Sequence, residues 1–321
     1  MRQIFVIWLI LLGLVACAPG DAPLPTMTLT RQVVIPLAAA TLTLSPASTP
    51  TTTIPPTGTT PPTLVPTATL SPSPTPIPFG GSQVIGLSVE GRPITSYQFG
   101  QGQNVIILVG GMHGGYEWNS IMLMYEMITY LTFNPDEIPP GVTLHIIPSA
   151  NPDGQFRATG VDGPFFPGDV DAETLPGRFN ANGVDLNRNW PCNWEPTGIW
   201  RDQTVSAGTE PLSEPESRAL HDFLLAQQPE LTVFYHSAVN GVFASGCGTI
   251  HPPSLNWAEV YAAAADYPTY TQFTSYAITG DAADWLTTQD LPAITIELST
   301  HEGLDWFPNL AGIQAILAVY R

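Results

Sequence analysis

The segment "LVGGMHGGYEWNS" (108–120) runs from aliphatic residues into His113 and, four positions on, Glu117. An imidazole nitrogen and a carboxylate oxygen are both good ligands for zinc, whose hydrolytic sites take three protein ligands and leave a fourth position open. A third donor stands at His236, in "FYHSA" (234–238). A water in the open position needs a group to take its proton, and Glu297, in "AITIEL" (293–298), is a candidate base. Any one of these residues alone is a weak signal, because a single His at a strand end more often serves the structure. His145, His221, His251 and His301 are read in that structural way.

Elements must bring these residues together. Four apolar runs predict buried strands: "NVIILV" (104–109), "TLHIIP" (143–148), "LTVFY" (231–235) and "AITIEL" (293–298). Helical patterns cover 118–131, 213–227, 256–267 and 310–320, and Ser213 with Glu216 three residues on predicts a capping box. The alternation predicts a single α/β domain, its central sheet mixed but mainly parallel and flanked by helices. The Gly-, Pro-, Asn- and Asp-rich segment 150–212 is too long for a plain connector, and loops of that size usually carry function. His113, "NPDG" (151–154), His236 and Glu297 each fall at the end of one of the four runs. Ligands of open α/β sheets bind at the carboxyl ends of strands, so one crevice would collect all four.

These motifs, in their order, resemble those of the M14 (carboxypeptidase A-like) zinc carboxypeptidases over most of residues 84–321. "GLSVEGRPI" (86–94) is similar to the family's opening hairpin, "GGMHGGYEW" to its first zinc motif, and "NPDG" and "GVDLNRNW" (183–190) to its substrate-binding core. "YHS" (235–237), "SYAITGDAADW" (275–285) and "ITIEL" (294–298) resemble the third-ligand, specificity-loop and catalytic segments. The resemblance implies one Zn2+ held by His113, Glu117 and His236, with Asp185 receiving the His113 ring N–H. It implies that Asn187 and Arg188 grip the C-terminal carboxylate of a peptide, a task that suits the planar guanidinium fork. Arg178 would stabilise the oxyanion, with Arg157 as a competitor for that role. Tyr276 would close over the substrate unless it is simply a packed aromatic, and Glu297 would be the general base. In the specificity loop, Asp281 would offer a carboxylate to a roomy pocket taking apolar and basic ends, including diaminopimelate-like ones, or else cap a turn. The family usually leaves two residues between its first His and Glu, whereas "HGGYE" leaves three. Either Gly114 and Gly115 absorb the extra residue in a tight turn, or the ligand set is altered.

Three activities fit this reading. One is a metallocarboxypeptidase that hydrolyses the C-terminal peptide bond with a zinc-activated water and Glu297. The second is a murein-peptide amidase or related zinc amidase. The third is a catalytically inactive peptide-binding lipoprotein, for which a base at Glu297 would be superfluous.

Composition narrows the partners. Residues 80–321 carry seven Arg against 26 carboxylates, a formal charge of −19, which repels nucleic acid and anionic membrane. The chain contains no Lys, which excludes a phosphate-loop Lys, a Schiff base or a Ser–Lys pair. The start, "MRQIFVIWLILLGLVAC", has a basic Arg2 and an apolar stretch too short to span a bilayer, so 1–16 is expected to be an export signal. "LVAC" resembles the bacterial lipobox and makes Cys17 the expected lipid anchor, the only membrane contact foreseen. Residues 17–79, rich in Pro, Thr and Ser, lack the apolar residues for a core and read as a disordered tether. The catalytic domain is then 80–321, exposed at the outer face of a bacterial membrane. In such an oxidising compartment the two remaining cysteines, Cys192 and Cys247, are expected to pair. Cys17→Ser should move the protein from the membrane to the soluble fraction. Retention of the variant on membranes would rule the anchor out.

Overall fold

In a computed structural model, residues 79–321 are described. The expected signal segment, the anchor at Cys17 and all of the tether except Phe79 lie outside the described residues. Strands β1 (Phe79–Leu87) and β2 (Pro93–Gly100) form an antiparallel hairpin. β3 (Asn104–Val109), α1 (Trp118–Phe133) and β4 (Val142–Ile147) follow. Next come α2 (Pro152–Thr159) and a two-stranded ribbon, β5 (Thr197–Trp200) and β6 (Gln203–Ser206). α3 (Pro215–Gln227) leads to β7 (Leu231–Ser237), β8 (Gly241–Ala244) and α4 (Pro252–Ala265). The chain ends with β9 (Thr269–Tyr270), α5 (Ala282–Thr287), β10 (Ala293–Leu298) and α6 (Trp306–Ala318). Among the described residues no helix is long and apolar enough to cross a membrane.

Eight strands make one mixed sheet in the order β1-β2-β4-β3-β7-β10-β8-β9. The central four, β4, β3, β7 and β10, are parallel, as the sequence predicts for the four apolar runs. They read as unbroken apolar runs because both faces are covered. Ile106 and Leu108 of β3 pack on one side with Met124 of α1, Tyr261 of α4 and Ile316 of α6. Ile107 and Val109 point to the other side, where Leu220 of α3 and Trp285 of α5 close a second core. From β3 the chain crosses to β4 on one side, and from β7 it passes to β10 on the other. The topological switch point therefore lies between β3 and β7, where a crevice opens at the strands' carboxyl ends.

The capping box expected at Ser213 does not form. Pro215, with its fixed φ, takes the first helical position, so Glu214 becomes the cap residue and Ser213 lies outside the helix. The Ser213 hydroxyl donates to Glu214 Oε1, while Glu216 accepts the backbone N–H of Val89 and an Asn180 N–H. Segment 150–212 is ordered by α2, by short 3₁₀ turns and by the β5–β6 ribbon.

Cys192 and Cys247 form a disulfide, with Cα atoms 5.8 Å apart. It joins the segment after "NRNW" to the loop after β8. The Gly280 N–H to Cys192 O bond (2.8 Å) and the Gly246 N–H to Asp284 Oδ1 bond (2.9 Å) lace the start of α5 to the same two segments. The bridge closes a separation of 55 residues, so replacing both cysteines with Ala should lower stability by about 2–4 kcal/mol in denaturant titration. An unchanged midpoint would show that hydrogen bonds alone hold this wall.

Candidate metal centre and active site

The chain leaves β3 at Val109 and turns sharply. Gly114 has φ +45°, and residues Gly114–Glu117 form a 3₁₀ turn. A Cβ on Gly114 would lie 2.5 Å from Gly177 O, and one on Gly115 would lie 2.3 Å from the Ala158 methyl. The two glycines thus take up the extra residue of "HGGYE" where no larger residue fits, and Glu117 still returns to His113. His113 Nδ1 is 2.8 Å from Glu117 Oε1, His236 Nδ1 is 2.9 Å from Glu117 Oε2, and the two Nδ1 atoms are 3.1 Å apart. All three residues are buried. Zinc bonds of about 2.0–2.2 Å in a tetrahedral site place ligand atoms a little over 3 Å apart, so this donor set fits the ion in both chemistry and spacing. Burial works against ionisation of Glu117, but the His113 and His236 rings overcome it and hold the carboxyl below its usual range. Burial likewise opposes the charged form of His236, yet Glu117 raises that ring overall. A metal must displace such protons, so its affinity should weaken as pH falls.

Asp185 lies behind this trio. His113 Nε2 has an acceptor, Asp185 Oδ1, at 3.2 Å and a donor, Arg178 Nη2, at 3.0 Å. Only one of them can be served. A lone pair free on Nδ1 requires the proton on Nε2, which then goes to Asp185 (a tautomer assigned from the network). Arg178 rests instead on Asp185 Oδ2, at 2.8 Å from Nη2 and 3.2 Å from Nε. Burial would raise the Asp185 carboxyl, but Arg178 and His113 drive it well below the usual range. Arg178 Nη1 remains on the cleft side, 3.6 Å from Glu117 Oε1.

The cleft over the trio has a volume of about 640 Å³. Glu297 sits beside His236 in the β7–β10 register, and its Oε2 is buried with no hydrogen-bond partner. Burial and the Glu117 charge push its carboxyl up to about 8. Arg188 donates Nε and Nη2 to Ile199 O and Nη1 to Asn187 O, which leaves one N–H on each terminal nitrogen of its five. Asn187 gives one amide proton to Asp281 Oδ2 at 2.7 Å, and its Oδ1 accepts the Ala282 N–H. Tyr276 lines the cleft with its hydroxyl unbonded among the described residues and its ring 4.7 Å from Phe273. Burial raises its hydroxyl, while Arg188 and Arg178 oppose that rise. Asp281 both caps α5, accepting the Asp284 N–H, and lines the cleft. Arg157 lies on the surface, bonded to Pro176 O, while Arg178 lines the cleft.

Some cleft residues were not foreseen. His301 was expected to be structural but lines the cleft, with Nδ1 at 3.0 Å from Ser237 Oγ and Nε2 at 3.4 Å from Tyr116 OH. It follows a bend after β10 that no periodicity marks. Tyr116, Trp200 and Arg201 form a wall with it, and Asp284 adds a second acid beside Asp281. Burial and Asp281 push Asp284 up to about 7. The remaining histidines stay out of the cleft. His145 is pushed down to about 4 by burial, next to Phe223, His221 packs on Trp285, and His251 bonds Ser254 at the start of α4.

A buried His–Glu–His trio at the switch point of a mixed sheet, with a carboxyl oxygen left unbonded beside it, has the make-up of a zinc peptidase. The zinc carboxypeptidase family model, peptidase M14, matches residues 82–316, and the chain belongs to that family. It is similar to carboxypeptidase B of Astacus astacus, 29% identical over 163 residues, 48% of this chain and 52% of that protein. It is also similar to gamma-D-glutamyl-L-diamino acid endopeptidase 1 of Lysinibacillus sphaericus, 25% identical over 254 residues, 70% of this chain and 62% of that one. The match thus spans less than two thirds of either relative. The fold resembles the crystal structure of murein-tripeptide amidase MpaA from Escherichia coli O157, with TM-score 0.55 and 24% identity over 75% of this chain and 93% of that one. The family's cofactor is zinc, and the trio could bind it.

Purified protein should hold about one zinc per chain, as three-ligand sites do, and His236→Ala should lose most of it. Full zinc content in that variant, measured by metal analysis, would refute the trio.

Proposed function

We propose that the protein is a zinc metallocarboxypeptidase, which hydrolyses the last peptide bond of chains with a free terminal carboxylate. The observation that carries this reading is the unpartnered Glu297 Oε2, buried in the cleft beside the trio. A pure binding site has no use for a carboxyl group so placed, whereas a hydrolase needs a proton acceptor there. His113, Glu117 and His236 would hold the ion. When bound, zinc supplies Lewis acidity that polarises a carbonyl and makes water a better nucleophile.

The protein's own groups do the rest. The two free N–H groups of Arg188 form a fork for the terminal carboxylate, and the second Asn187 amide proton can join them. Tyr276 closes the open side with its free hydroxyl. Arg178, held by Asp185, presents Nη1 to the charge that develops on the carbonyl oxygen. Glu297 takes the proton of the attacking water and hands it to the leaving amine. The export signal and Cys17 anchor read from the sequence would place this activity outside the cytoplasm.

Murein-type amide hydrolysis is a second reading, favoured by the paired Asp281 and Asp284 in the cleft. Two carboxyl groups beside the terminal pocket suit a side-chain ammonium, as a diamino acid carries. The relative named for gamma-D-glutamyl-L-diamino acid cleavage points the same way. The two readings separate on peptides that share a terminal diamino acid but differ in an α- or γ-linked preceding residue.

Glu297→Gln should lower kcat by about a hundredfold or more with zinc retained. In the wild type, activity requires the ionised carboxylate, so kcat/KM should fall as pH drops through the Glu297 pKa. A cation in the trio pulls that pKa downward, so the acid limb should lie below about 8. Wild-type turnover in Glu297→Gln would refute the mechanism.

A further inference from the structure

Seven arginines lie in residues 80–321, and three of them, Arg178, Arg188 and Arg201, line the cleft of an otherwise acidic protein. Arg178 is committed to Asp185, and Arg188 has three of its N–H groups on backbone carbonyls. Among the described residues, no carboxylate lies within ion-pair distance of Arg201, and its one hydrogen bond goes to Tyr116 OH at 3.0 Å.

A chain of bonds fixes that contact. Asn119 spends both amide protons on Thr300 O and Gly303 O, so its Oδ1 is an acceptor. The Ser237 hydroxyl donates to that Oδ1 at 3.0 Å, so its oxygen accepts from His301 Nδ1–H. His301 Nε2 then carries a lone pair and receives the Tyr116 O–H, which leaves the phenol oxygen to accept from Arg201. Every proton in the chain has one place, and the last group is a cation with its other N–H groups free. Trp200, 6% exposed, steadies it, with the Arg201 guanidinium 4.9 Å and that of Arg178 4.3 Å from the indole centroid.

We propose that Arg201 binds a carboxylate on the acyl side of the scissile bond, so that preferred substrates carry a negative charge there. This rests on the peptidase reading above. In that reading the terminal carboxylate goes to the cluster around Asn187 and Arg188. Tyr116, Ser237, His301 and Arg201 form a separate wall, and among the described residues no hydrogen bond joins it to Asn187, Arg188 or Asp281. Tyr116 and Ser237 are the chain neighbours of Glu117 and His236, so the wall begins at the metal site and leads away to the ribbon tip. The shared chemistry is a glutamyl carboxylate, either the side chain of an α-linked residue or the free α-carboxylate of a γ-linked one. A planar acceptor-only group matches the guanidinium fork, and Arg201 is the cleft arginine with no hydrogen bond to a carboxylate or a backbone carbonyl among the described residues.

The test uses three peptides with one common terminal residue, preceded by α-linked Glu, γ-linked Glu or Gln. Their dissociation constants are measured by calorimetry on full-length Glu297→Gln, and kcat/KM is measured on the wild type. At least one glutamyl peptide should bind about tenfold tighter than the Gln peptide at low salt, the usual scale of one charged hydrogen-bonded contact. Added salt should shrink that ratio, because Arg201 is exposed. Arg201→Gln in the same background should bring it close to one, and Arg201→Lys should restore part of it. The tighter-binding glutamyl peptide identifies the linkage. A ratio unchanged in Arg201→Gln, or no preference for charge at the outset, overturns the subsite. A preference that depends on Arg201 while the wild type hydrolyses none of the peptides leaves the subsite standing and refutes the peptidase.

Discussion

Two imidazoles and a carboxylate lie within hydrogen-bonding distance of one another under the carboxyl edge of the sheet, almost cut off from water. Burying groups that can carry charge is expensive unless each finds a partner. Much of the surrounding structure answers that demand. Glu117 is held by both rings, His113 passes its other nitrogen to Asp185, and Asp185 is held in turn by Arg178. The 3₁₀ turn at Gly114 exists because Glu117 must come back to His113 within four residues. Parallel pairing of β7 with β10 then sets Glu297 beside His236 without a loop to position it.

Around that centre the charges divide by place. Carboxyl groups collect where α5 begins, at Asp281 and Asp284, and burial together with the Asp281 charge raises the cost of ionising Asp284. Arginines line the opposite chemistry, each held by something other than substrate. Arg178 leans on Asp185, Arg188 on the carbonyls of Asn187 and Ile199, and Arg201 on a phenol. A guanidinium fixed in this way loses little freedom when it meets an anion, which favours binding. The disulfide between Cys192 and Cys247 braces the wall that carries the acids.

The sequence shows the centre of the sheet plainly. β3 and β10 begin and end where their apolar runs do, and β4 is displaced by one residue. β7 runs two residues past its apolar run, because His236 and Ser237 stay paired with Glu297 and Leu298. What the sequence hides is short or set by tertiary contacts. β8 has four residues and β9 two, too few for any period to show. α2 starts inside "NPDG" and is too short for a helical period to show. In the fold Asn151 caps a helix and accepts the Gly154 N–H, with Pro152 at the first position. His113, His236 and Glu297 are legible as strand-end residues, Glu117 by its spacing from His113, and Arg188 through its motif. His301 and Arg201 are not, since neither lies in a patterned segment and each is placed in the cleft by tertiary contacts, His301 with Ser237 and Tyr116 and Arg201 with Tyr116.

The central claim is that the lengthened His–Glu spacing still delivers an intact zinc site. Diffraction data collected at the zinc absorption edge, from crystals of the protein grown with zinc, test it most directly. The account predicts one strong anomalous peak, about 2.0–2.2 Å from His113 Nδ1, His236 Nδ1 and a Glu117 carboxylate oxygen. A peak that engages the histidines without Glu117, or binds through Nε2 instead, would contradict it.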